Sequence, residues 1–168
     1  PQLAQSIMDY TMNGRVHKAV GNRHPTGSTA PHNCYRCRGD DRWINITVTS
    51  EDEWKALCEV MGNPEWTDDE RFRSNSQRHK NQETLDDFIE AWTVTRETTS
   101  LMCSLQEAGV PAGSVYNAAD AFADPHLKKR GFFQEMTQED SGTHLYHGIP
   151  WKASRTPTEL RSPPCRLG

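Results

Sequence analysis

Cys34 and Cys37 are separated by two residues, the spacing at which a pair of thiolates can grip a zinc ion. A closed site needs two further ligands, and Cys58, Cys103 and Cys165 stand far from the pair and from each other. The residues around the pair read as a β-strand, on which positions three apart face opposite sides. Two reduced thiols in a half-buried strand are the simpler reading. His24 and His32 flank a loop, and His144 and His147 are again three apart on a strand, so they point to opposite faces. Histidines in such settings are surface or hydrogen-bonded residues more often than ligands. Asp40-Asp41, Asp68-Asp69 and Asp86-Asp87 are adjacent pairs, which point apart and suit turns and caps better than an acid–base dyad. Gly27, alone between Thr26 and Ser28, is too little for a phosphate-binding loop. By residue type and spacing, no catalytic set and no metal site is expected.

The elements that would position these residues are easier to read. Leu3, Ile7, Met8, Met12 and Val16 recur at helical spacing and predict an amphipathic helix over residues 2–18, running through Gly14. Residues 19–32 are rich in Gly, Pro, Asn, Ser, Thr and His and read as a linker or loop. Cys34–Arg38 and Trp43–Thr49 are β-prone and joined by Gly39-Asp40-Asp41, a hairpin signal. Ser50 with Glu53 forms a capping box for a helix whose apolar face is Trp54, Leu57, Cys58 and Met61, stopped at Gly62-Asn63-Pro64. A polar stretch, Glu65–Lys80, should wrap the surface, anchored by Trp66 and Phe72. Helices are predicted over 81–93, with Leu85, Phe88, Ile89 and Trp92 on one stripe, and over 97–108, ending at Gly109. A short strand in 110–116, a helix capped by Asn117 and Asp120, a further turn at 126–130 and a hairpin of 132–136 with 143–147 follow. Residues 154–168 are Pro-rich and should be extended.

Composition bounds the partners. The net charge is −4 and the pI near 6.0, without the basic face that nucleic-acid binding requires. No apolar stretch approaches the ~20 residues of a membrane span, and no signal-peptide pattern opens the chain, so a cytoplasmic protein without membrane contact is expected. The hydrophobic fraction is 34% and mean hydropathy −0.85, polar for 168 residues. A folded segment that shares surface with another domain or chain accounts for that polarity.

Five phrases occur in order along the chain: Gly21-Asn22-Arg23-His24-Pro25, Tyr35-Arg36-Cys37-Arg38-Gly39, Gly109-Val110-Pro111-Ala112-Gly113, Asp124-Pro125-His126-Leu127 and Gly148-Ile149-Pro150-Trp151-Lys152. Each alone is only a turn signal. Their order and spacing, from Gly21 to Gly168, resemble the C-terminal portion of the family III CoA-transferases, the CaiB/BaiF or formyl-CoA transferase-like enzymes.

That resemblance implies an α+β fold: a small β-sheet with hairpins, packed by several helices and flanked by extended crossing segments, in an interlocked homodimer. Residues 1–32 would be the helix and crossing segment from a large domain, 33–149 the small α+β domain, and 150–168 the return segment. It implies acyl-CoA and a carboxylic acid as substrates, with coenzyme A as co-substrate and no metal. Acyl transfer in the family runs through a covalent intermediate on an aspartate. No aspartate here matches that nucleophile, so it and the main CoA contacts are expected upstream, and the fragment alone should be inactive. A glycine-rich loop covers the nucleophile in some members; the matching stretch here is His24–Pro31, with one glycine, which favours larger acyl groups than oxalate, and His24, Pro25, Thr26, Gly27 and Ser28 are its candidate active-site residues. The alternatives are a non-catalytic binding or assembly module derived from such an enzyme, and a small zinc module on Cys34 and Cys37.

Overall fold

Backbone amides at helix starts and the alternation of strands account for most of the architecture. The computed structural model describes residues 3–16, 19–24, 29–163 and 165, and divides into two compact units, Pro1–Val115 and Tyr116–Gly168.

In the first unit, α1 (Ala4–Asn13) is shorter than its apolar pattern suggests. Gly14 takes the left-handed conformation (φ 65°), its N–H returns to the Tyr10 carbonyl, and the helix ends there, leaving Val16 outside it. None of the residues of α1 is buried. The predicted hairpin is β1 (His32–Arg36) with β2 (Trp43–Thr47), antiparallel and pairing Tyr35 with Ile44. Both strands end about two residues earlier than predicted, because Cys37 N–H closes the turn onto the Arg42 carbonyl (2.7 Å) and Val48 N–H bonds Pro31. Ile44 and Ile46 are buried while Asn45 between them is exposed, the period-2 signature of a sheet with one covered face.

The covering helices start where their caps direct. For α2 (Glu51–Met61), Ser50 Oγ accepts the Glu53 N–H (3.1 Å) while Glu53 Oε2 accepts the N–H groups of Ser50 (3.3 Å) and Thr49 (2.6 Å). Gly62, at φ 85°, stops it. The stretch read as a surface wrap is more ordered than its polarity suggested: two 3₁₀ turns, Glu65–Asp68 and Glu70–Phe72, precede α3 (Asn75–Lys80), with Asp69 and Ser74 capping the second turn and the helix. Phe72 is fully buried, and Trp66 stacks on Phe88 at 4.9 Å, so this stretch contributes to the core as well as wrapping it. Next come α4 (Gln82–Thr93) and α5 (Thr98–Glu107), then β3 (Ala112–Val115), which pairs antiparallel with β2 and completes the order β1-β2-β3. Leu57, Leu85, Ile89 and Leu105 from the helices close on Tyr35, Ile44, Ile46 and Val48 of the sheet side.

The second unit contains α6 (Ala118–Ala123), with the Asn117/Asp120 capping box, and α7 (Pro125–Lys129), whose Leu127 N–H is capped by Asp124 at 2.7 Å. A hairpin follows, β4 (Phe133–Gln138) and β5 (Gly142–His147). Phe122 of α6 stacks on Phe133 at 4.4 Å. The described residues after β5 form no regular element, and Leu160 N–H is held by Gln134 Oε1 (2.7 Å). The α+β expectation, small antiparallel sheets packed by helices, is met.

The cap of α5 yields a pH test. Glu97 accepts the N–H of Ser100 and of Thr99, and these bonds hold its carboxyl down from 4.5 to about 2. A carboxyl whose pKa falls on folding stabilises the fold above its unfolded value, and that contribution disappears as pH drops from about 4.5 toward 2. Glu97→Gln should therefore lower Tm at pH 7 by roughly 2–4 °C, the effect of a weakened cap in a chain of this size. Circular-dichroism melts should show the gap to wild type narrowing below pH 4.5.

Candidate functional site

Of the five residues expected to form an active-site loop, His24 is described, and Pro25, Thr26, Gly27 and Ser28 lie outside the described residues. The structure does show how the chain on either side of them is held. On the incoming side, the Asn22 side chain donates to Asn33 Oδ1 (3.0 Å), and His32 Nδ1–H donates to the Asn22 carbonyl. Arg23 pairs with Glu83 at 2.9 Å, and the His24 ring meets His32 edge-on at 5.6 Å between centroids.

On the outgoing side, Thr29 and Ala30 are buried, and Arg78 Nε donates to the Ala30 carbonyl (3.0 Å). Arg78 is itself 1% exposed. Its other donors reach the Phe72 carbonyl (3.0 Å) and both oxygens of Glu51 (3.1 and 2.7 Å), and its guanidinium lies 4.6 Å from the Trp54 ring centroid. The bond from Arg78 lowers the pKa of the Glu51 carboxyl. A polar stretch with no apolar period gives no sign that one of its arginines will be interred.

Asp86 is the second feature that spacing concealed. It points inward from α4 while Asp87 is exposed, so the adjacent carboxylates do diverge. Asp86 Oδ1 accepts from Tyr35 Oη (2.6 Å) and Oδ2 from Asn33 Nδ2 (2.8 Å). Burial raises its pKa against the opposing pull of those two bonds, and burial likewise raises that of Tyr35 well above 10.0. Three residues at the start of α4 thus serve one segment: Gln82 Nε2 donates to the His32 carbonyl (3.4 Å), Glu83 pairs with Arg23 and Asp86 holds Asn33.

The other candidates separate. Cys34 is half-buried and Cys37 buried, both free thiols whose pKa values burial pushes up, which makes them poor nucleophiles. Among the described residues no group of three or more His, Cys, Asp or Glu is placed to hold a metal ion. His144 Nε2–H donates to the Ser141 carbonyl (2.6 Å), and the His147 ring lies against Phe132. No helix is long and apolar enough to cross a membrane among the described residues.

The model of CoA-transferase family III matches residues 2–168. This chain belongs to that family. A probable CoA-transferase from Mycobacterium tuberculosis is 38% identical over 117 residues, covering 70% of the chain and 14% of the relative. A succinyl-CoA–D-citramalate CoA-transferase from Chloroflexus aurantiacus is 32% identical over 151 residues, 90% of the chain and 37% of the relative. Among solved structures, a CaiB/BaiF family protein from Brucella suis superposes with a TM-score of 0.73 at 30% identity, over 96% of the chain and 41% of that protein. The chain therefore spans about two fifths or less of the length of these three relatives. The family that the five ordered phrases resemble is the one whose model matches.

Within this member of CoA-transferase family III, the anchor at Ala30 should be costly to lose. Arg78→Met leaves two carbonyls without donors and should cost about 2–4 kcal/mol. Glu51→Gln keeps one acceptor at a half-exposed position but loses the other and the counter-charge of a buried guanidinium, and should cost less, about 1–2 kcal/mol. Urea unfolding of the two variants would show this order, and equal losses would mean that the ion pair, not the carbonyls, sets the role of Arg78.

Proposed function

We propose that this chain forms the small-domain part of an acyl-CoA:carboxylate CoA-transferase, and that it holds the loop His24–Ser28 over the reacting acyl group. The observation that carries this reading is the family match over residues 2–168 together with anchors on both sides of the loop, Asn22 and Arg23 before it and Ala30 after it.

In the reaction, an aspartate carboxylate attacks the thioester carbonyl of acyl-CoA and expels the CoA thiolate, leaving a mixed anhydride. The thiolate then attacks the aspartyl carbonyl, releasing the donor acid and leaving an enzyme-CoA thioester. The acceptor carboxylate takes the CoA through the same two steps in reverse. Both intermediates hydrolyse readily, so the site must keep water out while one acid leaves and another enters. A loop that opens and closes over the reacting group meets both demands.

The nucleophile is assigned to a part of the enzyme preceding these residues. The inward-pointing aspartate of the first unit, Asp86, has both oxygens engaged by Tyr35 and Asn33, and Asp69, Asp120 and Asp124 are engaged as caps. CoA is the co-substrate, and no step calls for a metal. Helix α1 leaves Ile7, Met8 and Met12 more than half exposed, apolar surface that suits burial against another part of a cytoplasmic homodimer.

Two outcomes follow. The purified 168-residue chain should transfer no CoA from succinyl-, acetyl- or aryl-acyl-CoA donors to acids, measured by chromatography of the CoA esters. Turnover lost on mutating a residue of this chain would overturn the placement of the nucleophile. In the full-length enzyme, Gly27→Val should lower kcat while leaving Tm nearly unchanged, since a β-branched residue narrows the backbone conformations open to a covering loop. Loss of the fold with unchanged turnover of the remaining folded enzyme would make His24–Ser28 a structural crossing.

A further inference from the structure

Asn33 occupies an unusual place in the hydrogen-bond pattern, because its single side chain ties three segments together. Its Oδ1 accepts from the Asn22 side chain (3.0 Å) and from the Cys34 N–H (2.8 Å), while its Nδ2 donates to Asp86 Oδ2 (2.8 Å). A primary amide can be turned end for end at little steric cost, and only its partners decide which end faces where. With Asp86 ionised, the Nδ2 end must face α4, since an amide oxygen there would meet a carboxylate oxygen. The carbonyl end is thereby turned toward Asn22.

We propose that Asp86 is a positioning residue for CoA transfer: by orienting the Asn33 amide it fixes Asn22, and with it the chain that leads to His24. This rests on the reading that the segment borders the reacting acyl group. The geometry also separates two uses of one carboxylate. Oδ1 serves Tyr35, a core residue of β1 that is 1% exposed, and Oδ2 serves the clasp. Removing Tyr35 Oη disturbs the buried group without freeing Asn33, whereas removing the carboxylate frees it.

Stability and positioning should therefore part company. Burial raises the pKa of Asp86, so ionising it costs folding energy that is present above the folded value and fades as pH falls from there to the unfolded value of 3.8. Asp86→Asn removes that cost, but its Oδ1 can take over the hydrogen bond from Tyr35 Oη, which turns its Nδ2 toward Asn33 and leaves the Asn33 amide free to present either end. It should be at least as stable as wild type at pH 7 while no longer fixing the orientation of the Asn33 amide.

The test is steady-state kinetics on the full-length CoA-transferase, with backbone hydrogen exchange on the 168-residue chain as a readout independent of activity. Asp86→Ala and Asn33→Ala should lower kcat about tenfold with KM changed less than about twofold, the pattern of a lost transition-state arrangement. Asp86→Asn should lower kcat without loss of stability, and Tyr35→Phe should hold kcat within about twofold. Amides of residues 20–24 should exchange faster in Asn33→Ala and Asp86→Ala but not in Tyr35→Phe. Equal losses of kcat in Tyr35→Phe and Asp86→Ala, or wild-type exchange in Asn33→Ala, would overturn the proposal. Should Asp86→Ala not fold, Asn33→Ala against Tyr35→Phe gives the same decision. An inactive wild-type enzyme would end the proposed function instead, and the exchange data would still judge the clasp.

Discussion

Arg78 carries a charge that cannot be shed, and the first unit closes around it. A guanidinium has five N–H donors in a fixed plane, and burying it is tolerable only if acceptors stand where those donors point. Here they come from separate stretches of chain: the Ala30 carbonyl ahead of β1, the Phe72 carbonyl at the end of a 3₁₀ turn, and the Glu51 carboxylate in the first turn of α2. Trp54 adds its ring face one turn further along α2. Because each acceptor is on a different segment, satisfying one guanidinium fixes the relative placement of all of them. The polar stretch 65–80 then has no freedom to drift over the surface, and Phe72 is carried into the core with it.

Around that centre the two faces of α4 divide the work. Leu85 and Ile89 face the sheet and are wholly buried, supplying part of the apolar burial that, at about 25 cal/mol per Å², offsets the entropy of ordering the chain. Gln82, Glu83 and Asp86 reach instead toward the segment 22–33. A single rigid helix thus transmits the position of the core to the chain that flanks His24–Ser28.

Local order was legible because it depends on neighbours in sequence. The Ser50/Glu53 and Asn117/Asp120 boxes, the β1–β2 turn, and the stops at Gly62 and Gly109 appear where residue type and spacing place them, to within the few residues by which helix and strand ends vary. Two errors have the same root. The pattern Leu3 to Val16 promised a helix through Gly14, but a periodic apolar face says nothing about the residue that terminates it, and Gly14 takes the left-handed turn. The stretch 65–80 looked like a surface wrap because its few apolar residues have no period. Its order comes instead from caps at Asp69 and Ser74 and from the buried arginine.

The sequence by itself determined the family, the α+β class, the order of the strands and of the helices outside residues 65–80, and the stripe of Leu85, Phe88, Ile89 and Trp92, all of which follow from short-range pattern or from phrases with fixed order. Only the tertiary structure decided which polar residues go inside. Arg78, Asn33 and Asp86 look like any other charged or amide residue in a polar neighbourhood, and each has a partner 48 or 53 positions away. Burial of such a group is favourable only when those distant partners arrive together, each satisfying a donor or acceptor that would otherwise be stranded. That condition is a property of three-dimensional arrangement, and no window along the chain contains it.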